Sequence, residues 1–390
     1  MGKRQAKVLF VDSSILMAGG QHSLIEILKC LDTSRFLPVV CAPARSDLRA
    51  KCDELAIRWE PLPFESECPG PGACAHMLWR VKDLLNSARG VVYLTDLIRR
   101  TGAGIVHANN FKAALVAAPA CTLSGRPLVF HDRVHITHGA LGHMVALNAA
   151  WIIAVSDTVA MKFGDRYAHK VRVIPPGIDT ARFKPTGSAG GSGLICYVGR
   201  ISEEKGLARM VECAPAVLEK VSDARFVMAG MPCTDRDSAY LSGIERKIQA
   251  TGLKNKFEFP GQIEDVAALL EQTDVFVLPS VREPLGRVMI EAMLMEKPVV
   301  AFDAGGPSEV IVHGRTGLLA KPGDTDSLAE NITKLLQDSA LRREIGKEAR
   351  KSVIHRFSNR VVAESIMDVY ERILQGMESP QGDKPGWPEA

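Results

Sequence analysis

The sequence predicts two doubly wound α/β domains in tandem, and three observations carry that expectation. Near-continuous apolar runs ending in small or polar residues recur along the chain, helical patterns separate most of them, and the alternation breaks once, at a Gly/Ser-rich stretch, before restarting. Each crossover helix of a parallel sheet packs back onto one face, so strands covered on both faces read as apolar runs. In the first half the runs are KVLFVD (7–12), FLPVVCAP (36–43), GIVHANN (104–110), PLVFHD (127–132), WIIAVSD (151–157) and VRVIPPGID (171–179). The break is KPTGSAGGSG (184–193), whose glycines and serines suit a flexible connector and cannot build a core. Beyond it come LICYVGR (194–200), RFVMAG (225–230), FEFPG (257–261), DVFVLPS (274–280) and PVVAFD (298–303).

The chain then turns helical, and its last amphipathic stretch sets Val362, Ile366, Val369, Tyr370 and Ile373 at three- and four-residue spacing. We therefore expect a first domain at 1–185, a second at 186–360, a final helix at 361–376, and a disordered tail at 377–390, which has three prolines and no periodicity. Open α/β sheets bind ligands beyond the carboxyl ends of their strands, so the expected site is a cleft between the domains.

Composition narrows the function classes. At 390 residues, 46% hydrophobic and 24% charged, the chain has room for two ordinary domains. No apolar run reaches the length of a membrane span and the start lacks a secretory core, so the expected location is the cytoplasm. Nine cysteines without a CxxC pair argue against a disulfide framework or a structural zinc site. Net charge is +3, but residues 1–185 hold 23 Lys+Arg against 15 Asp+Glu, and the remainder 25 against 30. A basic first half is either a solvated surface or a face for an anionic acceptor or anionic lipid headgroups at the inner side of a membrane. Nucleic acid is not an expected partner.

Four segments carry candidate chemistry. In VREPLGRVMIEAM (281–293), Pro284 suits the first turn of a helix, with Glu283 just ahead and Glu291 about two turns on. A helical rise over eight residues separates the two by roughly 12 Å, wider than a carboxylate pair that shares one bond or one water. They can instead hold the two ends of an elongated ligand whose phosphates face the helix start, helped by Arg282 or Arg287; alternatively they are surface charges on an amphipathic helix. In YVGRISEEKGL (197–207), Arg200 and Lys205 follow a strand between Gly199 and Gly206; a guanidinium fork and a mobile ammonium suit a diphosphate, although such a pair is often only solvated. DAGGPSEVIVHGRTGLL (303–319) offers a Gly-Gly turn, with Ser308 resembling a capping residue before a helix. SSILMAGGQHS (13–23) places Gly19 and Gly20 before a helix beginning near Gln21, as either a phosphate loop or a plain turn. It matches neither GxGxxG nor GxxxxGK[ST], so a dinucleotide or ATP site has little support. Among the histidines of HDRVHITH, His131 and Asp132 stand at a strand's carboxyl end, where a sugar can meet them. HExxH is lacking, which weighs against zinc, and His107 and His169 read as core or turn residues.

Taken together, over residues 5–375, these segments resemble retaining glycosyltransferases of the family 4 type with the GT-B fold, in which two Rossmann-like domains face each other across a cleft. The E-x7-E pattern from Glu283 to Glu291 is the most specific match, followed by VGRISEEKG, VIPPGIDTARFKP, GGPSEVIVHGRTGLL and the glycines at 19–20. The resemblance implies transfer of a sugar from a nucleotide sugar, UDP- or GDP-linked, to a hydroxyl of a glycan, lipid-linked or small-molecule acceptor, as in polysaccharide biosynthesis, with retention, no metal and no cofactor. It implies that Arg200 and Lys205 meet the donor diphosphate, Glu291 the ribose hydroxyls and Glu283 the transferred sugar. Leu285 and Gly286 then lie beside phosphates and sugar, Gly19 and Gly20 approach the diphosphate, and His131 reaches the donor sugar near the reacting carbon. It also implies that the last helix returns to the first domain. Two departures are Leu285, where relatives commonly carry an aromatic residue, and Pro176, where Asn is frequent. The rival readings are a sugar-nucleotide epimerase, a phosphorylase, for whose pyridoxal-type lysine the sequence gives no signal, a noncatalytic nucleotide-sugar-binding protein and, more remotely, an NAD-dependent oxidoreductase.

Overall fold

The computed structural model describes residues 5–63, 75–187 and 191–376, so the tail expected at 377–390 and the middle of the Gly/Ser stretch lie outside the described residues. The chain divides into two compact units, residues 1–177 with 359–389, and residues 178–358.

In the first unit the strands are β1 (Ala6–Val11), β2 (Phe36–Pro43), β3 (Arg58–Leu62), β4 (Ile105–Ala108), β5 (Leu128–Asp132), β6 (Ala149–Ala154) and β7 (Val171–Val173). They form one parallel sheet in the order β3-β2-β1-β4-β5-β6-β7. Side chains of β1 alternate between two cores, as a strand's period of two requires. Leu9 and Val11 join Leu94, Leu97 and the alanine-rich helix Phe111–Ser124 on one face. Val8 and Phe10 join Leu24 and Ile27 of helix Gly19–Cys30 and Val362, Ile366 and Tyr370 of helix Asn359–Leu374 on the other. The terminal helix is thus a wall of the first unit's core, and burying each of its large apolar side chains is worth about 1.5–3 kcal/mol.

The second unit holds β8 (Leu194–Val198), β9 (Arg225–Ala229), β10 (Phe257–Glu258), β11 (Val275–Leu278), β12 (Val299–Phe302) and β13 (Leu318–Ala320). Its parallel order, β10-β9-β8-β11-β12-β13, repeats the 3-2-1-4-5-6 pattern of the first. In both sheets the winding direction reverses beside the central strand, at β1/β4 and at β8/β11. In open sheets of this kind, ligands bind beyond the strand ends where the order reverses.

The chain passes from the first unit to the second between Gly177 and Ile178, ahead of the boundary expected at 185. Residues 178–187 are already tied to the second unit: Ile178 bridges Ser358, the carbonyl of Phe183 accepts from Arg350 at 3.1 Å, and Thr186 bonds the carboxylate of Glu271. The stretch after Phe183 is connector-like in composition but follows the passage. Gly177 is required where it stands, because a Cβ there would lie 2.8 Å from the Cα of Asn359, the first residue of the returning helix. Among the described residues no helix is long and apolar enough to cross a membrane.

Candidate active site

In the second unit three loops beyond strand carboxyl ends are locked together by contacts that only glycine permits. Gly206, at φ +74°, closes the loop after β8, and a Cβ there would lie 2.3 Å from the carbonyl oxygen of Pro279 in the loop after β11. Gly306, after β12, would drive a Cβ to 2.2 Å from the Cα of Leu285, and its N–H donates to the carbonyl of Glu283 at 2.9 Å. The segment 279–286 is therefore clamped on both sides.

That clamp presents a buried carboxylate to a cation. Glu283, 7% exposed, accepts from Lys205 Nζ at 3.1 and 2.8 Å and from the Ser280 hydroxyl at 2.9 Å. Burial of a charge is tolerated only with such partners. Lys205 thus joins Glu283, but Arg200 does not: its guanidinium pairs with Glu204 and remains 43% exposed. The backbone beneath it is fixed, since Tyr197, fully buried, donates its hydroxyl to the Arg200 carbonyl at 2.8 Å.

The helix expected to open at Pro284 begins at Arg287, with Gly286 as N-cap at φ +90°. Pro284 lies in the preceding turn, so the estimate of about 12 Å, which took helical rise throughout, does not describe this segment. The left-handed conformation of Gly286 turns the chain there, and only from that point can the helical hydrogen bonds run. Glu291, 5% exposed, lies in the second turn of that helix and accepts from Arg287 Nε at 2.8 Å, while Arg287 Nη1 is buried without a hydrogen-bond partner among the described residues. Leu285 is buried beneath the clamp. Ser308 does not cap a helix either; it lies inside the short helix Gly306–Val310, which Gly305 precedes.

In the first unit Gly19 and Gly20 are the first two residues of helix Gly19–Cys30, so the helix opens earlier than Gln21. The Gln21 amide oxygen accepts from the N–H of Ala18 at 3.2 Å, and its NH2 donates to Asp12 at 3.1 and 3.0 Å, which joins the helix start to the end of β1. Asp12, wholly buried, also accepts from Asn109 at 2.6 Å and from the Ser14 N–H at 2.7 Å. Burial nevertheless pushes its carboxyl pKa upward against those bonds.

Arg133 connects this group to His131. It donates to the Asn109 side chain at 2.9 Å and to His131 Nδ1 at 3.1 Å, and its side chain passes within 3.3 Å of where a Cβ on Gly20 would be. The structure therefore gathers His131, Gly20 and helix Gly19–Cys30, whereas Gly19 stands in open space. Burial, then the charge of Arg133, holds His131 well below the ordinary imidazole range, and burial brings His107 down to about 3. Asp132 is turned the other way, onto Lys162 Nζ at 2.5 Å. Lys162 also donates to the carbonyls of Val134 and Ile136, at 2.6 and 3.2 Å, and so fixes the loop after β5. No group of three or more His, Cys, Asp or Glu among the described residues is arranged to hold a metal ion.

Sequence reasoning missed Asp12, Ser280, Asn109 and Arg133. Each lay at the carboxyl end of a correctly read strand, the position that marks a site in an open sheet. His107 was read as core, and it is fully buried.

Sequence profiles of two families match the chain, "Glycosyltransferase Family 4" over residues 17–182 and "Glycosyl transferases group 1" over 179–352. The capsular polysaccharide biosynthesis glycosyltransferase CapM of Staphylococcus aureus is 30% identical over 188 residues, 47% of each chain. The alpha-maltose-1-phosphate synthase of Mycolicibacterium smegmatis is 33% identical over 247 residues, 57% of this chain and 63% of that one. The match thus spans about half the length of CapM and somewhat more of the synthase. The crystal structure of Anabaena HepE in complex with UDP and glucose shares the fold, with a TM-score of 0.79 over 94% of this chain and 100% of that chain at 24% identity. Two parallel Rossmann-like sheets that share the order 3-2-1-4-5-6, the E-x7-E segment held by glycine clamps, and two profiles that together span residues 17–352 agree: the chain belongs to the family 4 type of GT-B glycosyltransferases.

Proposed function

We propose that the protein is a retaining glycosyltransferase that moves a sugar from a UDP- or GDP-sugar to a hydroxyl of a glycan, lipid-linked or small-molecule acceptor. The observation that carries this reading is the Lys205–Glu283–Ser280 group, in which a partly exposed lysine meets buried Glu283 and Ser280 at the switch point of the second sheet, one turn ahead of the helix opened by Gly286. As the glycosidic bond to the donor breaks, negative charge builds on the diphosphate. Lys205, Arg200 freed from Glu204, and the unpaired N–H groups of helix Arg287–Leu294 supply positive potential for it without a metal. Glu283 then accepts from hydroxyls of the transferred sugar. Glu291, held by Arg287, accepts from the ribose. HepE, crystallised with UDP and glucose, supports a uridine donor, and CapM, named for capsular polysaccharide biosynthesis, supports a glycan acceptor. In this reading the enzyme works in the cytoplasm, with its basic first half meeting an anionic acceptor or an anionic membrane surface.

Candidate UDP- and GDP-sugars, screened by thermal shift and then by nucleoside diphosphate release with acceptors, test the proposal. Arg200→Ala and Lys205→Ala are expected to lower kcat by about 10²–10³-fold, the loss typical of one charged donor to a developing anion. EDTA is expected to leave the rate unchanged. Wild-type turnover by both variants, or abolition of activity by EDTA that added divalent cation restores, would refute the assignment.

A further inference from the structure

His131 is one end of a buried chain of rings that reaches the terminal helix. Its Nδ1 lies 3.1 Å from Arg133 Nη2 and 3.2 Å from His107 Nε2, and His107 Nδ1 lies 2.6 Å from the Tyr370 hydroxyl. His107, His131 and Tyr370 are each 0% exposed, and His131 Nε2 has no partner among the described residues.

For two neutral rings, the state that burial favours, one proton arrangement satisfies these distances. A guanidinium can only donate, so His131 Nδ1 is an acceptor and the neutral ring carries its proton on Nε2. His107 Nε2 faces that same acceptor nitrogen, and two lone pairs at 3.2 Å would repel, so His107 also carries its proton on Nε2. His107 Nδ1 is then an acceptor, and the Tyr370 O–H donates to it. We infer that Tyr370 and His107 are positioning residues that fix His131 as a neutral hydrogen-bond donor through Nε2, unable to serve as a base toward the acceptor hydroxyl.

The orphaned buried N–H costs stability until an oxygen meets it. If His131 faces the transferred sugar, which rests on the function proposed above, that oxygen belongs to the donor, and the terminal helix tunes catalysis without touching substrate.

The ring states can be read without any substrate, from 15N spectra of histidine-labelled protein, assigned by substitution of single histidines. Both rings are expected to be neutral at pH 7 with the proton on Nε2. Tyr370→Phe, which keeps the packed ring, is expected to shift His107 Nδ1 to the resonance of an unbonded lone pair. A His131 proton on Nδ1, a charged ring, or an unmoved His107 Nδ1 in Tyr370→Phe would overturn the chain. With donor and acceptor in hand, Tyr370→Phe is expected to lower kcat about three- to tenfold, the size of one neutral hydrogen bond, at nearly constant donor KM. His107→Leu should lose more than His107→Gln, whose amide NH2 can replace Nε2–H; equal and wild-type rates would remove the positioning role. If no nucleotide sugar is turned over, the proposed function falls while the spectra still decide the ring chain.

Discussion

Burial keeps His107 uncharged down to about pH 3, far below the ordinary imidazole value near 6.5. The unfolded chain therefore binds a proton between those two values that the folded chain refuses. Stability from this residue is complete above about pH 6.5 and declines as the pH falls toward 3, by at most about 1.4 kcal/mol per pH unit. His131, also pushed down by burial and by Arg133, acts in the same sense. Asp12 and Asp132 are pushed upward by burial, so they take up protons earlier when folded and oppose that trend. Comparison with His107→Gln isolates the histidine: from pH 7 to pH 4 the denaturant midpoint of the wild type is expected to fall more steeply than that of the variant. Parallel curves would show that His107 titrates alike in the folded and unfolded chain. The same burial that depresses these rings makes them useful, since a histidine that stays neutral holds one tautomer and one direction of hydrogen bonding.

At the scale of elements, the donor-side loops are held by what glycine lacks. Gly306→Ala places a methyl 2.2 Å from the Leu285 Cα and 2.6 Å from the Pro284 carbonyl oxygen, both backbone atoms that cannot rotate away. Overpacking of this kind costs about 1–3 kcal/mol, and here the strain falls on the segment that carries Glu283. Gly306→Ala is expected to lower the free energy of unfolding by that amount and to weaken donor binding as well; a variant with unchanged affinity would mean that the clamp does not set the site. None of this was legible in the sequence, because a clamp is a meeting of loops distant along the chain, and DAGGPSEV shows only that glycines are present. The buried strands were legible for the opposite reason: VFVL of β11 and VVAF of β12 cannot be exposed, so composition alone announces them. Two of the four edge strands were not. β3, RWEPL, is half polar and contains a proline, which an edge tolerates, and β13 has only three residues. The residues proposed to meet the donor were candidates because Arg200, Lys205 and Glu283 follow strands and Glu283 and Glu291 fall in one E-x7-E pattern. Arg133, Asn109 and Tyr370 escaped because their importance lies in whom they touch.

At the scale of the molecule, the first unit is built from two pieces of chain separated by the whole of the second. Val362, Ile366, Val369 and Tyr370 complete the face formed by Val8, Phe10, Leu24 and Ile27. Polar contacts pin the helix in register: Asn359 donates to Glu26 at 2.8 Å, Arg35 meets Glu371 at 2.7 Å, and Arg172 pairs with Asp368. Four buried side chains at about 1.5–3 kcal/mol each are comparable with the entire margin of a domain, about 5–15 kcal/mol. A chain ending at Ser358 is therefore expected to lose the fold of its first unit while the second, continuous in sequence from 178 to 358, keeps its own. Hydrogen exchange followed by mass spectrometry distinguishes the units: peptides from β1, β4 and β5 should exchange freely, and those from β8, β11 and β12 should stay protected. A peptide spanning residues 359–376, added in trans, should restore protection to the first set, because the groove that it fills is shaped by residues already present. Full protection of β1, β4 and β5 in the shortened chain would show that the terminal helix covers a core able to close without it, and that Tyr370 can be no more than an accessory to His107.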